Sequence, residues 1–228
     1  MYQDVFDDKK QTLMRNYFQN ELATLGIIKT HKKNDWIDLH CGNSSFAIVL
    51  KGKVVKSMIS SQGREKLLYT LRPGEIFGEM NMLGGGSLSY VCRVKENAQI
   101  SYVSKVIFDR VVEKNPLVYE YLINSITRKF RIVLLQSTNN AFNDSRGRIA
   151  EALIRLAACS NNGDVEQDAN IISTVFTQSE LAYNVGCSRV TVTRVLKIFL
   201  QEKLISIRNK KIIINDMDTL ASYTDRVQ

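Results

Sequence analysis

Cysteine and histidine are scarce in this chain, and their arrangement excludes several kinds of site. The 228 residues include four cysteines and two histidines. No CxxC pair occurs, so neither a disulfide framework nor a cysteine-rich metal site is expected. Two histidines are also too few for a His-rich site, and we expect neither a bound metal nor a haem. The residues concerned are Cys41, Cys92, Cys159, Cys187, His31 and His40.

Long apolar runs, an export signal and catalytic motifs are also missing from the sequence. No run approaches the roughly 20 apolar residues of a membrane-spanning helix. The N-terminal segment MYQDVFDDKKQ is charged and has no apolar core, so it predicts no signal peptide and a cytoplasmic protein. HExxH, GxSxG and phosphate-loop motifs do not occur, and we expect no enzyme. The alternative is an enzyme whose C-terminal domain only binds a partner. Detectable turnover of a candidate ligand would support that alternative.

Positive charge exceeds negative charge. The chain has 31 Lys and Arg against 23 Asp and Glu, a net charge of +8 and a pI near 9.3. This balance suits a polyanion such as DNA, although charge alone would fit a membrane surface equally well.

The first half of the sequence predicts β-structure. Short runs rich in branched and aromatic residues alternate with turn signals, which is typical of a sandwich, barrel or roll. The predicted strands are Phe46–Leu50, Gly52–Met58, Lys66–Leu71, Tyr90–Val94 and Gln99–Val103. The turn signals are Cys41–Asn43, Lys51–Gly52, Ser60–Gly63, Pro73–Gly74 and Gly84–Gly86.

A long helix is predicted from Pro116 to about Phe142, because nothing in this stretch interrupts a helix. Ile132–Leu135 is an unbroken apolar run, which at about 100° per residue covers the whole circumference of a helix. Such a turn must be buried on every side, and a partner helix would complete that burial. We therefore predict a homodimer. Asp144 can cap the following helix, predicted at Arg146–Cys159.

The next segment has the features of a helix-turn-helix. It follows a polar loop, Ser160–Asp168, and begins with a capping box at Thr177–Glu180. Gly186 supplies the permissive backbone for a tight turn, and Ser188 caps the second helix. The inner face is apolar (Leu181, Ala182, Val185, Val192, Val195, Leu196, Phe199), and the outer face carries Arg189, Thr191, Thr193, Arg194 and Lys197. The pattern favours DNA binding over an amphipathic hairpin with a solvated basic face.

A basic β-hairpin is predicted after the second helix. Leu204–Ile207 and Lys211–Ile214 flank Arg208–Lys210, and Asn209 can adopt the positive φ that such a turn needs. A hairpin directly after a recognition helix is a wing, whose basic tip would lie near DNA phosphates. A short helix at Met217–Tyr223 is predicted to follow.

This order of elements resembles the CRP/FNR family of dimeric bacterial transcription regulators. The resemblance implies an α+β fold: an N-terminal antiparallel β-roll of the cyclic-nucleotide-binding type (residues 1–114), a dimerisation helix with hinge (115–143) and a winged helix-turn-helix (144–228). It also implies an inverted repeat in double-stranded DNA and RNA polymerase as partners. The segments that carry it are Lys66–Glu79, Asn115–Ala150, Gly186–Lys197 and Leu204–Ile214.

Two branches of the family do not match at their effector sites. The cyclic-AMP branch grips the nucleotide phosphate with an Arg-Ser pair, where this chain has Ser89–Tyr90. That branch contacts adenine with a Thr-Ser pair, where this chain has Val133–Leu134. The oxygen-sensing branch ligates an iron–sulfur cluster through N-terminal cysteines, and the first forty residues here contain none. We therefore expect neither cyclic AMP nor an iron–sulfur cluster.

The organohalide-respiration (CprK-like) branch, whose effectors are halogenated phenolic compounds, is more similar. Ser60–Leu71 and Val190–Arg194 carry this resemblance, although that branch has a lysine at the position of Glu79. An ammonium at Lys129 beside the Tyr69 ring would suit an aromatic phenolate or carboxylate. The alternative is that Tyr69 is core and Lys129 a snorkelling surface residue. The candidate effector-binding set is Tyr69, Glu79, Ser89, Tyr90, Lys129, Val133 and Leu134.

Effector binding is expected to shift the paired helices around residues 129–135 and so re-aim the two recognition helices. A rival hypothesis keeps DNA binding without a small ligand, with control by cysteine oxidation or by protein level. Cys41 and Cys92 could pair if their Cα atoms lie within about 7 Å.

The recognition-helix residues predict which bases are read. Arg194 matches the family's shared arginine, and Arg189 matches a guanine-reading arginine of the cyclic-AMP branch. Val190 stands where both well-known branches carry a glutamate that accepts from cytosine N4, and its methyl groups can pack on thymine instead. We expect A·T at that base pair and half-sites nearer TTAAT than TGTGA. The whole candidate DNA-binding set adds Thr193 and the phosphate-positioning residues Ser188, Thr191, Thr177, Gln178, Lys197 and Arg208.

Overall fold

The computed structural model describes residues 7–37, 45–84, 89–160, 177–209 and 211–225. The chain divides into two compact units, one formed by Lys9–Phe130 and the other containing Arg131–Gln228. This division falls within the long helix, and the three-part division at residues 114 and 143 stays a prediction. Within the described residues, no helix combines the length and apolarity needed to cross a membrane.

The first unit is built on an antiparallel sheet. In chain order the elements are α1 (Asp8–Asn20), a 3₁₀ turn (Leu22–Leu25), β1 (Ile27–His31), β2 (Trp36–Ile37), β3 (Ser45–Ile59), β4 (Glu65–Leu71), β5 (Ile76–Phe77), α2 (Glu79–Gly84), β6 (Val91–Ser104), α3 (Lys105–Lys114) and α4 (Leu117–Phe142). The strand order is β1-β6-β3-β4, with β2 also paired to β6 and β5 to β3. The predicted antiparallel β domain followed by a long helix is confirmed.

One predicted turn is wrong. Lys51–Gly52 lies inside β3, so the two strands predicted on either side of it are halves of one 15-residue strand. The pairing with β6 shifts register on both sides of Lys51, which makes this a bulge. Gly52 has φ 85°, and a Cβ there would lie 2.3 Å from the Asn97 carbonyl oxygen. The predicted strands Tyr90–Val94 and Gln99–Val103 likewise lie in one strand, β6, which begins one residue later, at Val91.

The other described turns of this unit lie where the sequence predicted them. Gly63 and Gly74 have φ of 74° and 78°, as the turns at Ser60–Gly63 and Pro73–Gly74 require.

Helix α1 was not predicted, because only two of its apolar side chains, Met14 and Phe18, enter the core. The core is formed by Met14, Phe18, Leu22, Phe46, Ile48, Ile76, Val103, Phe108, Val118 and Leu122.

The second unit contains the end of α4 and the helix-turn-helix. Its further elements are α5 (Ser145–Ser160), α6 (Gln178–Val185), α7 (Arg189–Gln201), β7 (Ile205–Arg208), β8 (Lys211–Ile214) and α8 (Met217–Ser222). Each predicted helix and the hairpin are present within a residue or two. Asp144 Oδ1 accepts from the Gly147 N–H at 2.8 Å, which confirms the predicted cap. Most of the predicted loop Ser160–Asp168 and the Cys41–Asn43 turn lie outside the described residues.

The hairpin turn is tighter than predicted. Arg208 pairs with Lys211 in the ladder, so Arg208 belongs to the strand and not to the turn as predicted. Asn209 has φ 50°, the left-handed conformation expected of it. A positive φ at this position suits the right-handed twist of a hairpin.

The apolar run of α4 is only partly buried within one chain. Ile132 is 6% exposed, whereas Val133 is 37% and Leu134 50% exposed. The expectation that this turn is covered on every side is therefore not met by a single chain.

Candidate DNA interface and effector site

The start of the helix-turn-helix is held by reciprocal hydrogen bonds. Thr177 Oγ1 accepts from the Glu180 N–H at 3.2 Å, and Glu180 Oε2 accepts from the Thr177 N–H at 2.9 Å. Gly186 ends α6 with φ 67°, and Ser188 Oγ accepts from the Thr191 N–H at 3.0 Å to begin α7. These local bonds determine where each helix starts and stops, and they confirm the predicted capping box and turn.

The amphipathic character of α7 separates core from surface. Val192, Val195, Leu196 and Phe199 are buried, together with apolar residues of α5 and α6. Val190 is 78% exposed, which is unusual for a branched apolar side chain within a helix. Of the predicted DNA-binding residues, Thr191 is half-buried and the others are exposed. The exposed residues are Thr177, Gln178, Ser188, Arg189, Val190, Thr193, Arg194, Lys197 and Arg208.

Thr193 connects the two helices on their exposed side. Its hydroxyl donates to Gln178 Oε1 at 2.6 Å, so a residue at the start of α6 is tied to the middle of α7. Both residues were predicted to contact DNA. In this structure they also fix each other's position, and their side chains lie on the same exposed surface as Arg189 and Arg194.

The wing is attached to the end of α7 by backbone bonds. The Leu204 N–H donates to the Phe199 carbonyl at 2.9 Å, and the Asn215 N–H donates to the Leu204 carbonyl at 2.8 Å. Asn215 Nδ2 donates to the Lys203 carbonyl at 3.1 Å. The hairpin carrying Arg208 is therefore held in register with the recognition helix.

A buried polar network joins α4, α5 and α6 within the second unit, and sequence patterns did not indicate it. Asn139 Nδ2 donates to Glu151 Oε2 at 2.6 Å, and Arg155 Nε donates to Glu151 Oε1 at 3.1 Å. Arg155 Nη2 donates to Asn184 Oδ1 at 2.9 Å, which reaches the first helix of the helix-turn-helix. All four residues are buried, so these bonds orient the helix-turn-helix against the end of α4.

The first unit contains a second group of functional side chains, which we call the roll cluster: Lys56, Tyr69, Glu79, Tyr90, Cys92 and Lys129. All six residues are buried. In the sheet, Lys56 on β3 pairs with Tyr69 on β4 and with Cys92 on β6. Directly paired residues project from the same face, which brings these three side chains together.

Lys129 is the centre of the hydrogen bonding in the roll cluster. Its Nζ donates to Glu79 Oε1 at 3.0 Å and to the Ile76 carbonyl at 2.7 Å, and it lies 6.0 Å from the centre of the Tyr69 ring. Lys129 is only 8% exposed, so the alternative of a snorkelling surface lysine is excluded. An ammonium has three donors, and two of them are used here.

The other predicted effector residues divide into two groups. Tyr69, Glu79 and Tyr90 are buried in the roll cluster with Lys129. Ser89 is exposed, and Val133 and Leu134 are exposed side chains of the other unit. Sequence analysis missed Lys56 altogether, although a lysine inside the apolar run of a predicted strand was a usable signal.

Burial controls the protonation of the roll cluster. Desolvation is the main cause that raises the pKa of Tyr69 well above its usual value and raises that of Cys92 to about 12. Desolvation also lowers the pKa of Lys56, against the opposing effect of Glu79. The Tyr69 hydroxyl and the Cys92 thiol are therefore protonated at neutral pH, and Cys92 is a poor nucleophile.

A separate ion-pair network in the same unit centres on Glu75. Its Oε1 lies 2.6 Å from Arg15 Nη2 and 3.2 Å from Arg128 Nη1, and its Oε2 accepts from the Arg72 N–H at 3.0 Å. Desolvation alone would raise the pKa of Glu75, but Arg128 and Arg15 outweigh it and lower the pKa to about 2. The carboxylate thus ties α1 and α4 to the turn before β5.

Replacing Glu75 with glutamine is expected to lower the free energy of unfolding by about 3 kcal/mol at neutral pH, because two partly buried guanidinium groups lose their counterion. A lowered carboxyl pKa adds stability that is complete above the unfolded-state pKa and is lost on acidification. The difference between wild type and Glu75→Gln should therefore shrink below about pH 4.5 and vanish near pH 2. Urea unfolding of both proteins across this pH range measures the difference in their free energies of unfolding.

The matched control is Glu96→Gln. Glu96 pairs with Lys53 at 2.7 Å, but its side chain is 59% exposed, so its removal should change stability by less than about 1 kcal/mol. Equal effects of the two substitutions would contradict the role given to the Glu75 network.

Comparison with known proteins identifies the two units. Residues 147–223 match the Crp-like helix-turn-helix domain, and residues 39–115 match the cyclic nucleotide-binding domain. The cAMP-activated global transcriptional regulator CRP of Haemophilus influenzae is 30% identical over 179 residues, which cover 77% of this chain and 79% of that protein.

Two solved structures illustrate the shared fold. A CooA mutant from Carboxydothermus hydrogenoformans has a TM-score of 0.75 at 19% identity and covers 90% of each chain. CprK complexed with OCPA has a TM-score of 0.70 at 18% identity, over 91% of this chain and 92% of that one. At these identities the likeness concerns the fold alone.

The winged helix-turn-helix, with its basic exposed face, and the cyclic-nucleotide-binding-type roll define a DNA-binding transcription regulator. With the sequence similarity to the curated CRP proteins, the chain belongs to the CRP/FNR family of transcription regulators. The CprK-like branch is not separated from the rest of the family by these comparisons.

Proposed function

We propose that this regulator is a homodimer whose DNA affinity is controlled by a small aromatic effector bound at the roll cluster. The observation that carries the proposal is that buried ammonium groups and aromatic rings lie together in a domain of the ligand-binding type. Lys129 has a third donor in addition to its bonds to Glu79 and Ile76, and the Tyr69 ring is close by. This combination suits a halogenated phenolate or another aromatic anion.

Cyclic AMP fits these residues poorly. The family's phosphate-binding arginine is replaced by Ser89, which is exposed, and the neighbouring Tyr90 is buried against Lys56. Val133 and Leu134 offer no hydrogen-bonding groups to a base. The curated relatives are described as cAMP-activated, and CprK as complexed with OCPA. We propose that the effector here is neither a cyclic nucleotide nor a haem or iron–sulfur cluster.

The proposed dimer would use the exposed apolar side of α4. Tyr119, Ile123, Ile126 and Phe130 are 37–65% exposed and are spaced by four, three and four residues. This spacing produces a single stripe along a helix, as in the seam of a coiled coil. Val133 continues the spacing. A second copy of the chain would cover the stripe and place two recognition helices for an inverted repeat.

The proposed half-site follows from the exposed face of α7. Val190 has no acceptor for cytosine N4 but can contact a thymine methyl, so we propose A·T at that position and TTAAT-like half-sites. Arg189 and Arg194 supply donors for guanine or phosphate. RNA polymerase is the expected protein partner, and the cytoplasm the expected location.

The alternative hypothesis is that cysteine oxidation, and not a small ligand, controls DNA binding. The structure gives this hypothesis less support than the aromatic effector. Cys92 is 1% exposed and its thiol pKa is raised, which disfavours oxidation. Cys41, its predicted partner, lies outside the described residues. A DNA affinity that changes with reductant would favour this alternative.

Fluorescence anisotropy with the full chain tests the proposal. We expect tight binding to a TTAAT inverted repeat only when a halogenated phenol is present, and no response to cyclic AMP. Equal affinity with and without the phenol would remove the aromatic effector but keep the regulator. No binding even at low salt, where phosphate contacts are strongest, would contradict the proposed half-site.

A further inference from the structure

Lys56 is the most unusual residue of the roll cluster. Its side chain is 2% exposed, yet among the described residues its Nζ has no hydrogen-bond partner. The ammonium instead lies 3.5 Å from the centre of the Tyr90 ring and 5.8 Å from that of Tyr69. Two aromatic faces partly compensate a desolvated cation, but they do not accept its hydrogen bonds as an anion would.

The position of Lys56 follows from the sheet. Its backbone pairs with Tyr69 on one side and with Cys92 on the other, so its side chain must leave the sheet on the face that these residues share. Tyr90 lies two residues before Cys92 and is buried with them. The side chain of Lys56 therefore lies inside the roll.

The charges of the described cluster do not balance. Glu79 is the carboxylate of the cluster, and its Oε1 already accepts from Lys129 Nζ at 3.0 Å. Lys56 adds a second ammonium, which leaves one positive charge in excess inside the roll. Two buried ammonium groups that share one carboxylate are costly, so the site favours a ligand that brings one negative charge.

We propose that Lys56 is the anion-binding residue of the effector site, and that the effector is an aromatic compound with a single negative charge, a phenolate or a carboxylate. This inference rests on the proposed function, because it takes the roll cluster as the effector site. The anionic oxygen accepts from Lys56 Nζ, while the effector ring lies against the tyrosine rings. Lys56 thereby selects anionic over neutral aromatics.

Anion binding at Lys56 is coupled to the uptake of protons. The groups that face Lys56 are Tyr69 from β4, Cys92 from β6, Tyr90 before β6, Glu79 from α2 and Lys129 from α4. Burial lowers the pKa of Lys56 in the free protein, and a bound anion would raise it again. Where Lys56 is partly deprotonated, binding of an anion therefore takes up protons, and the affinity falls as pH rises through this range.

Two probes and two variants test this inference. Pentachlorophenol is an anion near neutral pH, and its methyl ether has the same ring and halogens without the charge. In calorimetry with full-length protein, Lys56→Met is expected to bind pentachlorophenol about ten- to a hundredfold more weakly than wild type. Its affinity for the methyl ether should be unchanged, and the proton uptake measured in buffers of different ionisation enthalpy should be lost. Lys51→Met, an exposed lysine on the same strand, should behave as wild type.

Lys56→Met should be at least as thermally stable as wild type without ligand, because methionine has a similar shape and no charge. A variant that binds both probes as wild type does would overturn the role of Lys56 and keep the aromatic effector. Failure of wild type to bind either probe would overturn the proposed effector together with this inference, while DNA binding would stand.

Discussion

Phe130→Glu is expected to turn the proposed dimer into a monomer and to weaken binding to an inverted repeat by about a hundred- to ten-thousandfold. Phe130 is 65% exposed in the single chain and lies in the apolar stripe of α4 between Ile126 and Val133. A carboxylate there would have to be desolvated in the seam, opposite the same charge of the partner copy. Because the side chain is exposed, the fold of the single chain should be unaffected.

Light scattering after size exclusion measures the mass, and anisotropy measures DNA affinity. Glu120→Lys is the matched control, since it changes charge at an exposed position of α4 outside the stripe. It should leave the mass and the DNA affinity close to wild type. A Phe130→Glu protein that stays dimeric would show that the stripe is not the interface, and the covered surface would have to be sought elsewhere.

Val190→Glu is expected to move the preferred base pair at one half-site position from A·T to G·C. The side chain is 78% exposed on α7, so a longer polar residue fits without disturbing the core. Glutamate accepts from cytosine N4 and loses the contact with the thymine methyl. Each such contact is worth about 1–3 kcal/mol. The affinity for the A·T site should therefore fall by roughly ten- to a hundredfold, and the affinity for the G·C site should rise by a similar factor.

Competition binding with a half-site library measures this preference. Val190→Thr is the control, because threonine keeps a methyl group for thymine and has nearly the same size. It should keep the A·T preference. An unchanged preference in Val190→Glu would mean that residue 190 does not face a base edge, and would remove the basis for the TTAAT half-site.

The helix-turn-helix was predictable because its signals are local. Thr177, Glu180 and Ser188 act on N–H groups within three residues of themselves, and Gly186 acts on its own φ. The apolar spacing of α7 adds a period that any short window shows. No distant contact is needed to read these features, so the boundaries and the exposed face agree with the structure.

The β domain was predictable only in outline. A glycine with positive φ marks a turn or a bulge, and at Gly52 the choice depends on whether β6 continues alongside β3. That pairing joins residues that are distant in the chain, such as Val54 and Val94, which are forty positions apart. The sequence signal was the same as at Gly63, where the chain does turn.

The sequence by itself determined the family, the order of elements and the exposed residues of the DNA-binding helices, because these depend on spacing and local hydrogen bonds. Only the tertiary structure decided which ionisable groups are buried together. Lys129 pairs with Glu79 fifty residues earlier, and Lys56 meets Tyr69 and Cys92 from two neighbouring strands. The net charge of a buried site depends on residues that are distant in the sequence. Only strand register and helix packing bring these residues within a few ångströms of each other, so no local sequence pattern can predict that charge.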